Sequence, residues 1–261
     1  MRSSRSTPRQ ARETDTPKDA VFTARERRLI ARLRTPAAVQ RWLNSLPYNT
    51  EPAPGRPTLR SFRGVVRTGT AHCLEAALAA AVVLEQHGYP PLVLSFESID
   101  ELDHVLFVYR QSGRWGSVAR SRDPGLHGRK PVFASPRALA LSYVDAYVDY
   151  TGGVKGYAIA DMRNVEGCNW RFSPRNVWKA EQYLLDYPHH KIRPSRARIA
   201  RLRARYVSFR EAHGIKPVDY ERRDRWMPLP NEFRRAEGLP FAGPIWRARR
   251  VSRDRSRAAG A

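Results

Sequence analysis

The sequence predicts an α+β fold, one central helix packed on an antiparallel β-sheet, with helical extensions. Three observations carry this. The stretch from Thr68 to His87 is dominated by Ala and Leu, Thr70 can cap its first turn and Gly88 closes it, so it reads as a helix whose apolar surface is continuous and therefore buried. After Tyr89-Pro90 the period shortens: Leu92 to Phe96 and His104 to Tyr109 are runs of aliphatic and aromatic residues of strand length. A third strand, Trp115 to Ala119, follows the turn Gln111-Ser112-Gly113-Arg114, which makes antiparallel neighbours the simplest pairing.

The flanking segments are read in chain order. Residues 1–19 mix Arg, Ser, Thr, Pro and Asp without periodicity, the composition of a disordered tail. Ala20 to Leu33 and Pro36 to Leu46 have helical spacing, the second through Val39, Trp42, Leu43 and Leu46. The loop from Pro47 to Gly55 ends that helix. Ser135-Pro136 and Ser173-Pro174 open two further helices, reaching about Ala146 and Leu185, with Ser as cap and Pro in the first turn. A short strand is expected from Tyr157 to Ala160. Residues 20–188 are thus read as one domain with its core at about 35–150. Residues 189–261 form a basic, Arg- and Pro-rich segment with a helix over Arg193 to Ala212 and scattered Trp226, Phe233, Phe241 and Trp246.

The 261 residues carry a formal charge of +22. Twenty basic and seven acidic residues fall in 189–261, so over half of the surplus lies there. Such a segment points to a polyanion such as nucleic acid as one partner. Only six of the 47 basic residues are Lys, an imbalance that also arises from codon usage, and a solvated Arg-rich surface is the plainer reading. No apolar stretch follows the basic N-terminus, so no secretory signal is expected. The longest apolar run, Ala76 to Leu84, is too short to cross a bilayer. A cytoplasmic protein without a membrane partner is the expectation. The two cysteines, Cys73 and Cys168, have neither disulfide nor metal-knuckle spacing, and no cofactor or metal is expected. The oligomeric state is left open by the sequence.

Cys73 lies in the first turn of the central helix, where unpaired backbone N–H groups and the helix dipole favour thiolate over thiol. His104 follows 31 positions later at the head of the second strand, and a strand crossing the helix start can deliver its imidazole to the sulfur. The backbone N–H of Cys73 should form one side of an oxyanion hole. His72 projects about 100° around the helix from Cys73 and reads as exposed or loop-binding rather than as a base. Trp115 lines the cleft or the core, His127 belongs to a solvated loop bordering the site, and Cys168 is structural.

The order of Thr70-Ala71-His72-Cys73-Leu74-Glu75, Asp103-His104-Val105 and Gly113-Arg114-Trp115 resembles the transglutaminase-like superfamily. The resemblance covers about 115 residues and rests on order and spacing. It implies a papain-like core and a Cys-His-Asp triad in which Cys73 attacks an amide or ester carbonyl while His104 acts as base and then donates to the leaving amine. A peptide, protein or amide would be the substrate, with hydrolysis and acyl transfer both open. The family's acidic residue on the next strand has no counterpart in Trp115 to Ser121. Asp123 is therefore expected in the third position, with Ser121 as the alternative. If the position is vacant, the chain is a degenerate member that binds rather than reacts, and nucleic acid at the basic C-terminal segment is the partner that reading implies.

Overall fold

A computed structural model describes residues 21–51, 57–218, 220–236 and 239. The tail expected over 1–19, part of the 47–55 loop, and Phe241 and Trp246 lie outside the described residues.

Helices α1 (Ala24–Arg32), α2 (Pro36–Ser45) and α3 (Phe62–Thr68) precede α4 (Cys73–Glu85). The strands β1 (Leu92–Ser98), β2 (His104–Gln111), β3 (Arg114–Val118) and β4 (Arg129–Phe133) follow, then α5 (Pro136–Leu141) and α6 (Val144–Tyr147). The chain continues through β5 (Val154–Asp161), α7 (Trp178–Leu185), β6 (His190–Lys191) and α8 (Arg196–His213). The fold is mixed α+β. Its sheet has six strands in the order β4-β3-β2-β1-β5-β6, every neighbouring pair antiparallel.

Helix α4 is the central helix. Twelve of its residues, Leu74 through Glu85, are buried, as an all-round apolar helix requires. It packs against α2, α3, β1 and β2. Strand alternation divides the sheet between two cores: Val93, Val105, Phe107 and Tyr109 join the α4 cluster, while Leu94, Phe96, Leu106 and Val108 join a second cluster built with α5 and α6. The β2–β3 hairpin turns through Ser112 and Gly113, both at positive φ, the conformation of a two-residue primed turn.

The helix expected from Thr68 to His87 divides. Gly69, in the left-handed region at φ 71°, ends α3. Residues 70–72 then form a bend, and His72 rather than Thr70 is the N-cap of α4. The reason is tertiary: Ala71 bridges Tyr48 in parallel, and Thr68 and Thr70 accept from the Arg60 guanidinium. Helix α7 starts five residues later than expected, and the helix expected over 135–146 divides into α5 and α6. Helix α3 and strand β4 have no counterpart in the expectations drawn from sequence.

The described part of the basic segment packs on the core. Strand β6 extends the sheet, Trp226 bridges Arg129 of β4, and Glu232 pairs with Arg120 at 3.0 Å. Among the described residues no helix is long and apolar enough to cross a membrane.

Candidate functional site

Glu75 builds the start of α4. Its carboxylate, 0% exposed, accepts from the His72 N–H at 3.1 Å, the Arg60 N–H at 2.9 Å and the Arg60 Nε at 2.7 Å. Asn49 Nδ2 donates to it at 3.1 Å. A carboxylate at a helix N-terminus satisfies donors the helix cannot, and here it also ties the 49–60 stretch to the turn that presents Cys73.

The Cys73 side chain, partly accessible, lies within the electrostatic reach of both His104 and His72. Burial works to push the thiol upward, but the two imidazoles outweigh it and hold Cys73 well below the ordinary thiol range. Strand β2 presents His104 on the same side as Leu106 and Val108, toward the second core. Its Nε2 meets the Leu126 carbonyl at 2.9 Å. A carbonyl only accepts, so Nε2 carries the proton and Nδ1 is left to face the sulfur.

His72 binds a loop, as the sequence reading allowed, but its place beside the sulfur was missed. As N-cap it has extended backbone, φ −88° and ψ −176°, and the 100° rotation expected for a helical neighbour does not apply. Its Nε2 donates to the Thr58 carbonyl at 2.8 Å and lies 3.7 Å from Glu75. Burial lowers its pKa, but Cys73, together with Glu75 and the Thr58 carbonyl, raises it to about 9. Two imidazoles therefore flank one sulfur.

Tyr48 was missed as well. Its hydroxyl meets both the side chain and the backbone N–H of Cys73, the N–H expected to line an oxyanion hole. Burial and the Cys73 charge push the phenol further above its usual range, so Tyr48 is a neutral donor. No sequence signal joins it to Cys73, because the Tyr48–Ala71 bridge joins residues separated by a loop and helix α3.

Asp123 is not brought to His104. Its carboxylate pairs with Lys216 at 2.6 Å, and the third position beside the imidazole is filled by the Leu126 main chain. The 3-10 turn Pro124–Leu126 bends the chain so that a carbonyl, not the Asp123 side chain, reaches the ring. Ser121 is buried; its hydroxyl accepts from the Asp123 N–H at 3.0 Å and its carbonyl accepts from His127 Nε2 at 3.0 Å. His127 is not solvated: it is fully buried, and burial, with Arg120 nearby, holds it well below the ordinary imidazole value. Trp115 packs with the second core. Burial pushes the Cys168 thiol upward, the opposite of Cys73. Among the described residues no group of three or more His, Cys, Asp or Glu side chains is arranged to hold a metal ion.

No protein-family model matches the chain, and no curated protein matches it in sequence. Solved structures of LapG from Legionella pneumophila are similar to part of it. One has 14% identity and a TM-score of 0.32, covering 52% of this chain and 72% of that one. The EGTA-treated form has 12% identity and a TM-score of 0.34, covering 60% and 83%. Likeness this distant leaves function to be argued from the chain's own geometry.

Proposed function

We propose that this chain is a transglutaminase-like cysteine enzyme that hydrolyses or transfers the acyl group of an amide bond in a peptide or protein, with Cys73 as nucleophile and His104 as acid and base. The observation that carries the reading is the Cys73 sulfur at the N-terminus of α4, within reach of an imidazole whose other nitrogen is fixed by a carbonyl. That is the nucleophile, base and orienter arrangement of thiol catalysis.

In acylation the Cys73 thiol proton passes to Nδ1 of His104, the thiolate attacks the carbonyl carbon, the Sγ–C bond forms and the carbonyl π electrons move to oxygen. That oxygen takes hydrogen bonds from the Cys73 N–H and the Tyr48 hydroxyl. Collapse breaks the C–N bond as the amine takes a proton from Nδ1 of protonated His104. Neutral His104 then removes a proton from water, or from an acceptor amine, as that nucleophile attacks the thioester and the thiolate departs. His72 stays cationic beside the sulfur and keeps it ionised.

Alkylation and acyl transfer distinguish these roles, because only acyl transfer passes through an oxyanion. With iodoacetamide at pH 7, Cys73 should react far faster than Cys168, and His104→Ala should slow it. Tyr48→Phe should still be alkylated far faster at Cys73 than at Cys168 yet turn over a 4-nitrophenyl ester about 10²- to 10³-fold more slowly. Labelling of Cys73 no faster than Cys168 would refute the proposal.

One observation favours a second reading. The imidazole has a carbonyl behind it where triad enzymes have a carboxylate, so the charge that steadies an imidazolium is reduced. A degenerate domain that binds a partner would show fast alkylation of Cys73 without ester turnover.

A further inference from the structure

Away from Cys73, a second recess of about 160 Å³, well above the space one water needs, opens between β4, α5, α6, α8 and residues 220–226. Arg129, Arg198, Arg205, Arg222 and Arg225 line it, against the carboxylates of Asp145 and Glu221. Asp224 pairs with Arg222 at 3.3 Å, so five guanidinium groups meet three carboxylates. Arg198 and Arg205 stand two turns apart on one side of α8, and Arg198 takes up Asp145 at 2.6 Å, leaving a local surplus of positive charge.

Arg129 forms the inner wall. It is 0% exposed, sandwiched with its guanidinium carbon 4.0 Å from the Tyr143 ring centre and 4.3 Å from that of Trp226. It donates to the carbonyls of His127 at 2.8 Å and Gly125 at 2.6 Å, while its Nε has no hydrogen-bond partner. Burial lowers its pKa only to about 10, so it remains a cation at neutral pH. Burying a cation without a carboxylate partner is costly, and gathering four more beside it adds repulsion. A solvated basic surface would spread such charges apart; here separate elements bring them around one concavity.

We propose that this recess binds a small phosphate-bearing anion of the size of phosphate or pyrophosphate. Planar guanidinium groups match phosphate oxygens in paired hydrogen bonds, and an anion here would supply the counter-charge that Arg129 lacks. The enclosed shape suits a compact anion rather than a polynucleotide, whose backbone needs an open groove. The recess shares no residue with the Cys73 cleft, so the proposal stands or falls apart from the catalytic one.

Calorimetric titration of the full chain with inorganic pyrophosphate tests it. One-to-one binding is expected, weakened about tenfold or more in the double variant R222A/R225A, since charge-assisted contacts to the anion are lost. Both arginines lie at the rim, and an unchanged far-UV circular dichroism spectrum shows that the variant is folded. R225K alone should recover less than wild-type affinity, because an ammonium cannot make the paired contact. Absence of binding, equal binding by the folded double variant, or uptake of many pyrophosphate ions per chain would overturn the proposal. So would displacement of pyrophosphate by a short single-stranded oligonucleotide that binds more tightly, which would assign the recess to nucleic acid.

Discussion

Folding moves the pKa values of Cys73 and His72 in opposite directions, and that opposition sets how the pair responds to pH. His72 rises from 6.5 to about 9 on folding, so its contribution to stability is complete below about pH 6.5 and is lost as pH rises toward 9. Cys73 falls below its ordinary value of 9.0, so its contribution is complete above about pH 9 and is lost as pH falls. The slopes oppose one another. As long as folded Cys73 is ionised and His72 protonated, the unfolded pair holds one proton on sulfur and the folded pair holds one on His72, so the proton count of the pair is the same. The difference in melting temperature between wild type and Cys73→Ala should therefore stay level from about pH 7 to 8.5 and shrink below pH 6. A difference that climbs steadily with pH across that range would mean that His72 is neutral. Cys73 and His104 stand out in the sequence because one follows a turn before an apolar helix and the other opens a strand. Tyr48 and His72 do not stand out, since a tyrosine after Pro47 and a histidine before a helix have many commoner uses.

At the scale of elements, the site depends on the loop from Asp123 to Gly128 between β3 and β4, because this loop carries the Leu126 carbonyl to His104. Helix α2 holds the residue that follows β3: the Gln40 side chain accepts from the Ala119 N–H at 3.0 Å and donates to the Ala119 carbonyl at 2.8 Å. Gly128 lies against the same side chain. A Cβ there would stand 2.2 Å from Gln40 Oε1 and 2.7 Å from the Ser117 carbonyl, closer than atoms can pack. Gly128→Ala should lower unfolding free energy in urea by about 1–3 kcal/mol and slow alkylation of Cys73 as the carbonyl shifts from His104. Unchanged stability and labelling would show that the loop relaxes freely. The helix and strand types in the first half of the chain were legible because burial there follows clean periods, twelve consecutive buried residues in α4 and strict alternation in β1 and β2. Strand β4 was not: Arg129-Lys130-Pro131-Val132-Phe133 has charged residues and a proline, and it pairs only because it lies at the sheet's edge.

At the scale of the molecule, the basic C-terminal stretch is part of the body that supports the cleft. Arg120, 0% exposed in its side chain, donates to the carbonyls of Leu46 and Ser121 and pairs with Glu232. Its guanidinium also lies 5.6 Å from the Tyr48 ring centre. Residues 46, 48, 120 and 232 thus meet at one cation. Arg120→Ala should destabilise the chain by about 3 kcal/mol in a denaturant titration, as expected when one member of a buried polar cluster is removed. A loss under about 1 kcal/mol would mean that the pair behaves as an exposed one.

The sequence by itself determined the alternation of helix and strand, the buried central helix, and the order that puts a cysteine at a helix start and a histidine at a strand start. These are local facts, written in residue period and in punctuation by glycine, proline and serine. Only the tertiary structure decided that His72 and Tyr48 join them, that a Leu126 carbonyl rather than the Asp123 carboxylate orients the base, and that five arginines face one recess. Each of those depends on which distant segments touch, and that is set by how loops close and by where buried polar groups find partners, neither of which leaves a period in the chain.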